Sequence, residues 1–279
     1  MIEDTSDPFH LPRRFGPLPG YGGRGIVRCP WKHLAAATAP ANGWCSQCVD
    51  ENPTDGWDEA AAPYILLESE WRIWHRIRRP AARRQWMRGR VAAKDAIRLL
   101  LWDRFGILSP LEVICVLPDE RGQPHVSRDA QPVTGAKLSV SISHCGNSSV
   151  ALVAECSESC RGVGIDVALL ADDHDGLAEG GFAPSETALL DDCPPPKRAE
   201  WLLRLWCAKE AAGKALGSGL QGDPLNFVVH RINRARGTVE VEAHVHRTPL
   251  APPEGPARIT AHVGNDRGLV FAVARLEGN

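Results

Sequence analysis

The spacing of hydrophobic residues divides the chain into helical and extended segments. Apolar side chains recur every three to four positions in predicted helices over 64–79, 81–105, 184–192 and 197–217. Short apolar runs or alternating patterns predict strands over 111–117, 138–143, 150–154, 162–167, 226–232, 238–246, 258–263 and 268–275. The order of these segments predicts two similar halves, each combining a helix with an antiparallel meander, and therefore an α+β fold.

The clearest strand signal lies at residues 138–143, where apolar residues and serines alternate strictly. Successive side chains of a strand point to opposite faces, so the serines share one face and the apolar residues the other. We therefore expect a half-buried strand. Gly146 and Asn147 follow it and predict a turn into the next strand.

Residues 1–60 differ from the rest of the chain, because Pro, Gly and Ala are frequent and neither helical nor strand spacing persists. We interpret this segment as an irregular leader or linker. The predicted organisation then places a first subdomain at 61–160 and a second at 161–279.

Four potential zinc ligands lie in the first segment: Cys29, His33, Cys45 and Cys48. Structural zinc is usually held by Cys and His, but here only the Cys45–Cys48 pair has standard spacing. Free thiols are the favoured interpretation. A zinc-stabilised interaction module is the alternative.

Composition narrows the class of protein. The chain has 279 residues, of which 43% are hydrophobic and 24% charged, and this balance excludes a disordered chain or a fibrous repeat. No apolar run is long enough to span a membrane, and the N-terminus lacks a signal-peptide pattern. We expect a cytoplasmic protein whose nine cysteines are mostly thiols.

The net charge of −2 gives no reason to expect a nucleic-acid or membrane partner, but the basic residues are unevenly distributed. Residues 72–98 contain nine arginines and one lysine against a single aspartate. The planar guanidinium fork suits phosphate groups. This segment is therefore either a solvated helix face or a site for a phosphorylated ligand.

Three short strings along the chain suggest chemistry when they are considered together: 141–146 (Ser-Ile-Ser-His-Cys-Gly), 162–167 (Gly-Val-Gly-Ile-Asp-Val) and 206–214 (Trp-Cys-Ala-Lys-Glu-Ala-Ala-Gly-Lys). Asp166 and Glu210 supply two carboxylates, which can hold Mg²⁺ beside substrate phosphates. Lys214 lies four residues after Glu210 on one helix face and could balance phosphate charge. His144 could contact a further phosphate.

Each string alone also has a structural explanation. The Ser143-His144 pair could belong to a turn, Asp166 could accept structural hydrogen bonds, and the two lysines could lie on an exposed helix face. The combination of the three strings in this order is what favours a metal-dependent site for a polyphosphorylated ligand.

The ordered set of motifs resembles the 4′-phosphopantetheinyl transferases, in particular the long, surfactin-synthetase-activating (Sfp-like) class. The resemblance extends over about residues 64–276. It includes the turn at 122–124 (Gly-Gln-Pro), which is similar to the family's Gly-Lys-Pro element, and the segment 182–186 (Phe-Ala-Pro-Ser-Glu).

The resemblance implies two similar subdomains related by a pseudo-twofold, each a small antiparallel sheet packed with a long helix, with coenzyme A between them. It implies transfer of the 4′-phosphopantetheine arm of coenzyme A to a serine of an acyl or peptidyl carrier protein, with release of adenosine 3′,5′-bisphosphate. The carrier could belong to fatty-acid, polyketide or nonribosomal peptide synthesis.

The resemblance also implies roles for individual residues. Asp166 and Glu210 would bind Mg²⁺, with Glu210 also the general base and Lys214 stabilising charge on the pyrophosphate. The implied coenzyme A contacts are Arg83, Arg90, Lys94, Ser143, His144, Asp166, Lys209 and Lys214.

Many relatives carry a further carboxylate two residues after the strand aspartate, where this chain has Ala168. A catalytically weak protein that binds coenzyme A or a carrier is therefore the alternative function. Since two halves in one chain can complete the site, we predict a monomer.

Overall fold

A computed structural model describes residues 26–30, 43–52, 54–127, 136–171, 176–244 and 255–277 of the chain. Strands β1–β6 are Ile26–Pro30, Gly43–Asp50, Val116–Pro118, Pro124–Val126, Leu138–Cys145 and Ser148–Glu155. Strands β7–β11 are Gly162–Leu169, Phe227–Asn233, Thr238–Ala243, Ala257–Asp266 and Leu269–Leu276. Helices α1–α6 are Trp57–Ile65, Glu68–Arg76, Pro80–Phe105, Leu177–Gly181, Pro184–Ala188 and Pro195–Ala215.

The strands form two antiparallel sheets, each packed against one long helix. The first sheet has the order β1-β2-β6-β5 and carries α3, and the second has the order β7-β11-β10-β9-β8 and carries α6. Strands β3 and β4 form a separate hairpin. The predicted α+β class is confirmed, whereas the pseudo-twofold stays a prediction.

Three apolar clusters hold these layers together. One lies between α3 and the first sheet, and another between α6 and the second sheet. The third lies between the two sheets, where Val150 and Leu152 of β6 meet Ile165 of β7 and Phe271 of β11. Because β6 and β11 contribute alternate side chains to different clusters, both faces of these strands are buried.

Serine side chains join the edges of the two sheets. Hydroxyl oxygens of Ser139, Ser141 and Ser143 on β5 accept hydrogen bonds from the backbone N–H groups of residues 163, 165 and 167 on β7. The constant offset of 24 residues shows that β5 and β7 run in the same direction. The predicted alternation is therefore real, but the serine face meets the second sheet and is buried.

The expectation of an irregular first segment is wrong for the part of it that the structure describes. Residues 26–30 and 43–50 form β1 and β2, and β2 pairs with β6 inside the first sheet. The pattern was hidden because β2 is buried on both faces, with Cys45, Ser46 and Cys48 all buried. The subdomain boundaries at 61–160 and 161–279 stay a prediction.

Two other segments have different boundaries from those that the hydrophobic pattern predicts. The predicted helix over 64–79 is two helices, α1 and α2, which are separated at Leu66 and Leu67. The predicted strand over 111–117 begins as a 3-10 turn at Leu111–Val113 and becomes extended only at Val116. In the part of the chain that the structure describes, no helix has the length and hydropathy needed to cross a membrane.

Candidate functional site

Helix α6 lies directly on strand β7, and this contact brings Lys214 to Asp166. Lys214 Nζ donates to Asp166 Oδ1 at 2.7 Å and to the Ile165 carbonyl oxygen at 3.1 Å. The approach requires Gly164, because a Cβ at that position would lie 1.8 Å from the Ala211 carbonyl oxygen. Gly164 therefore allows α6 to pack closely on β7, and Asp166, two residues later, faces the helix.

Glu210 occupies the same face of α6, one turn before Lys214. Burial raises the pKa of the Glu210 carboxyl, the negative charge of Asp166 raises it further, and Lys214 opposes both effects. The two carboxyl groups are therefore close enough to repel each other. Among the residues that the structure describes, none donates a hydrogen bond to the Glu210 carboxylate, which leaves its oxygens available to a ligand.

Ser143 connects this pair of carboxyls to the first sheet. Its hydroxyl donates to Asp166 Oδ1 at 2.8 Å and accepts from the Val167 N–H at 3.3 Å. Asp166 Oδ1 thus receives both the serine hydroxyl and the lysine ammonium. Neither of these two donors forms a hydrogen bond to Oδ2, and the Cys207 thiol is the other described group that interacts with this carboxylate.

His144 lies on the opposite face of β5, towards helix α3. Burial, together with the positive charges of Lys214 and two α3 arginines, lowers the pKa of His144 to about 4. The imidazole is therefore neutral at pH 7 and shares a hydrogen through Nδ1 with Ser149 Oγ at 2.8 Å. Helix α3 has Gly89 at this point, where a Cβ would lie 2.5 Å from His144 Cε1.

Arg88 and Arg90 flank Gly89 and are both buried. Arg88 donates to the Gly146 carbonyl oxygen at 3.0 Å and lies 3.5 Å from Asp50 Oδ2. Arg90 stacks over the Trp86 ring at 4.4 Å, and burial lowers the pKa of its guanidinium to about 10. The buried Nε of each arginine has no hydrogen-bond partner in the described structure. Buried guanidinium groups of this kind are suited to an anion.

Arg83 is less available than Arg90. Its guanidinium pairs with Glu59, lies 3.9 Å from Asp58 and stacks over the Trp74 ring at 4.8 Å. A ligand phosphate would have to compete with the two carboxylates for this side chain.

The structure gives Lys94, which was expected to contact coenzyme A, a different role. The side chain is fully buried, and its Nζ donates to Glu70 Oε2 at 2.6 Å and to the Ile65 carbonyl oxygen. Glu70 also accepts the backbone N–H of Val116 at 2.9 Å. The ammonium therefore lies inside the first half and has no route to an external phosphate.

Lys209 repeats this arrangement in the second half. It is fully buried, and its Nζ donates to Glu186 at 2.9 Å and to the Gly181 carbonyl oxygen at 2.8 Å. Glu186 in turn accepts the backbone N–H of Val229 at 2.8 Å. Each long helix thus fixes a short helix and a strand through one buried lysine–glutamate pair, and neither lysine faces the Asp166 site.

A cavity of about 220 Å³ borders Lys214. Its walls include the β3–β4 turn (Arg121, Gly122, Gln123 and Pro124), Ser141 of β5 and the segment 217–219 after α6. Gln123 lies against Gly217, where a Cβ would be 2.5 Å from the Gln123 Oε1. The turn predicted at residues 122–124 therefore borders the same cavity as Lys214.

Of the four residues considered as zinc ligands, the structure describes three: Cys29, Cys45 and Cys48. Cys45 packs between the two sheets and Cys48 packs against helix α3, because these two side chains leave opposite faces of β2. Burial raises the pKa of Cys48 to about 12, which favours the thiol. His33 lies outside the described residues. No group of three or more His, Cys, Asp or Glu side chains within them could hold a metal.

Two further residues near the site were not recognised from the sequence pattern. Arg88 was only one of many arginines, and the pattern did not show which of them face inward. Cys207 lies on the Glu210 face of α6, where its thiol interacts with Asp166 and has a pKa raised mainly by burial. The helical spacing of Cys207, Glu210 and Lys214 was the available signal.

Comparison with known proteins identifies one matching family model and two relatives. A family model described as "4′-phosphopantetheinyl transferase superfamily" matches residues 162–272. A Synechocystis protein whose name assigns it to the 4′-phosphopantetheinyl transferases is 35% identical over 95 residues. This match covers 34% of the chain and 37% of the relative.

A fatty acid synthase subunit alpha of Candida parapsilosis is 28% identical over 140 residues. That match covers 49% of this chain and 7% of the fungal subunit, so the chain spans less than half the length of either relative. The family match contains Asp166, Glu210 and Lys214, the residues that meet at the α6–β7 contact. Residues 162–272 are therefore similar to the 4′-phosphopantetheinyl transferase superfamily.

Proposed function

We propose that this protein transfers the 4′-phosphopantetheine arm of coenzyme A to a serine hydroxyl of an acyl or peptidyl carrier protein. The observation that carries the proposal is the meeting of Asp166, Glu210 and Lys214, contributed by β7 and α6. Two carboxylates and one ammonium suit a pyrophosphate that must be held and then cleaved.

Asp166 and Glu210 are the residues that would hold Mg²⁺. Asp166 Oδ2 receives neither of the two donors on Oδ1, and the Glu210 carboxylate accepts no hydrogen bond from the described residues. Two carboxylates with phosphate oxygens and water form an ordinary magnesium site, so Ala168 does not exclude one. Bound Mg²⁺ would supply charge neutralisation at the pyrophosphate.

Glu210 is the proposed general base. Its raised pKa favours proton uptake more than that of an ordinary exposed glutamate, and the carboxyl lies at the same cluster as the pyrophosphate. The carrier serine oxygen forms a bond to the phosphorus that bears pantetheine, and the serine proton passes to Glu210 directly or through water. The phosphoanhydride bond breaks, and adenosine 3′,5′-bisphosphate leaves with the bridging oxygen and its charge, which Lys214 stabilises.

The cleft beside Lys214 is the proposed binding site for coenzyme A. The 220 Å³ cavity under the β3–β4 turn is suited to part of the nucleotide. Arg88, Arg90 and the neutral His144 lie on the other side of β5 and could contact a further phosphate. Lys94 and Lys209 are not included, because both are enclosed in ion pairs.

The test is the intact mass of an apo carrier protein after incubation with this protein, coenzyme A and Mg²⁺. A mass gain of one phosphopantetheine arm supports the proposal. No gain with acyl and peptidyl carriers, although coenzyme A binds, would favour the alternative of a catalytically weak binding protein. Ala168, where many relatives carry a carboxylate, is the residue that motivates this alternative.

A further inference from the structure

Three serines of β5 share one structural role, and Ser143 has a second role. Each hydroxyl oxygen accepts a backbone N–H of β7, at 3.1 Å for Ser139, 3.0 Å for Ser141 and 3.3 Å for Ser143. Only the Ser143 hydroxyl is also seen to donate to a side chain of the site, Asp166 Oδ1 at 2.8 Å. Ser139 and Ser141 thus serve to join the two sheets, whereas Ser143 also binds Asp166. Comparing these serines separates the two roles.

The Ser143 hydroxyl has a single proton, and the structure assigns it to Asp166. The group is buried, with 4% of the residue exposed, so water is not a ready substitute for this donor. Lys214 binds the same oxygen at 2.7 Å. Together the two donors fix the orientation of the carboxylate through Oδ1, and neither forms a hydrogen bond to Oδ2.

We propose that Ser143 is a positioning residue, which orients Asp166 so that Oδ2 can bind Mg²⁺ together with Glu210. This inference rests on the proposed function. It differs from the role that the family resemblance implies for Ser143, a contact to the 3′-phosphate of coenzyme A. A hydroxyl that already donates to Asp166 cannot donate to a phosphate at the same time.

The experiment compares coenzyme A affinity in Mg²⁺ and in EDTA, measured by calorimetry, for the native protein and three variants. In the native protein we expect tighter binding with Mg²⁺. Hydrogen-bond partners of metal ligands typically contribute about 10- to 100-fold in metal affinity, so Ser143→Ala should lose most of the Mg²⁺-dependent increase. Ser143→Thr keeps the hydroxyl and should restore it.

Ser139→Ala is the matched control. It leaves the Val163 N–H unsatisfied, as Ser143→Ala does for Val167, and Ser139 has no hydrogen bond to a carboxylate among the described residues. Both alanine variants should therefore unfold at similarly lower denaturant concentrations, but Ser139→Ala should keep the native Mg²⁺ dependence.

Two results would overturn this inference without contradicting the proposed function. The first is an unchanged Mg²⁺ dependence in Ser143→Ala while the native protein shows one. The second is a loss of affinity that is equal in Mg²⁺ and EDTA and disappears with 3′-dephospho-coenzyme A, since that result indicates a phosphate contact. If the native protein itself binds coenzyme A without any Mg²⁺ dependence, the proposed metal site fails together with this inference.

Discussion

Lys214 Nζ lies 2.7 Å from Asp166 Oδ1, which ties the last turn of α6 to the edge strand of the second sheet. The contact depends on a helix that lies almost against the strand backbone. Any change that lifts α6 from β7 should therefore separate the two charges and move Glu210 away from Asp166.

Gly164→Ala tests this dependence on close packing. The added Cβ would lie 1.8 Å from the Ala211 carbonyl oxygen, and backbone atoms cannot yield as a flexible side chain can. We expect a loss of stability at or above the upper end of about 1–3 kcal/mol, measured by chemical denaturation, together with a loss of transfer activity. Gly180→Ala meets nothing within 4 Å and should change neither property. Native stability in Gly164→Ala would contradict the described contact.

Lys209→Met should lower stability without weakening coenzyme A binding. Removing the lysine leaves the fully buried Glu186 without its cation, and breaking a buried pair typically costs about 3–5 kcal/mol. Denaturation and calorimetry at a temperature where the variant is folded would measure the two effects. Lys197→Met, an exposed position on the same helix, is the control. Weaker coenzyme A binding at unchanged stability would instead favour the ligand contact that the resemblance implied.

Arg90→Met should have the opposite effects: higher stability and weaker coenzyme A binding. Arg90 is buried and its Nε has no hydrogen-bond partner among the described residues, so the guanidinium costs stability when no anion is bound. We expect a gain in stability on the order of 1 kcal/mol, because the cost of an unpaired buried group exceeds the stacking contribution of Trp86. Coenzyme A affinity should fall by about 10- to 100-fold, the value of one or more charged hydrogen bonds. Arg104→Met, at an exposed position of α3, should change neither quantity, and a less stable Arg90→Met with native affinity would contradict this account.

Acid should destabilise the protein through His144. Folding lowers the pKa of this group from 6.5 to about 4, so the unfolded chain binds the proton more readily than the native protein. The contribution to stability is complete above about pH 6.5 and is lost as the pH falls towards 4. His144→Asn should reduce the slope of melting temperature against pH in this range, whereas the exposed His125→Asn should not. An unchanged slope in His144→Asn would show that the imidazole titrates normally.

The sequence predicted the elements whose patterns are simple. Helix α3 was expected at 81–105 and is Pro80–Phe105, ending at Gly106, which has a positive φ of 65°. The strictly alternating β5 was also found in place. Strand β2 was missed because it is buried on both faces, and a short mixed sequence gives no period in that case.

Side-chain environments were harder to predict than elements. Glu210 and Lys214 could be assigned to one helix face from their spacing, and the order of the strings associated Asp166 with them. Lys94 and Lys209 looked equivalent to them, since a sequence does not reveal that Glu70 and Glu186 lie opposite. Strand β5 was expected to be half-buried, with its serine face left uncovered. That this face is covered by β7 could be recognised only from the packing of the two sheets.

The most direct test of the central claim is the rate of holo-carrier formation by Glu210→Gln, followed by intact mass. Glu200→Gln, on the same helix and paired with Arg204, is the matched control. If Glu210 is the base and a magnesium ligand, its variant should be slower by about 10²- to 10⁴-fold while remaining folded, and the control should keep the native rate. A native rate in Glu210→Gln would contradict the assignment of the α6–β7 cluster as the active site.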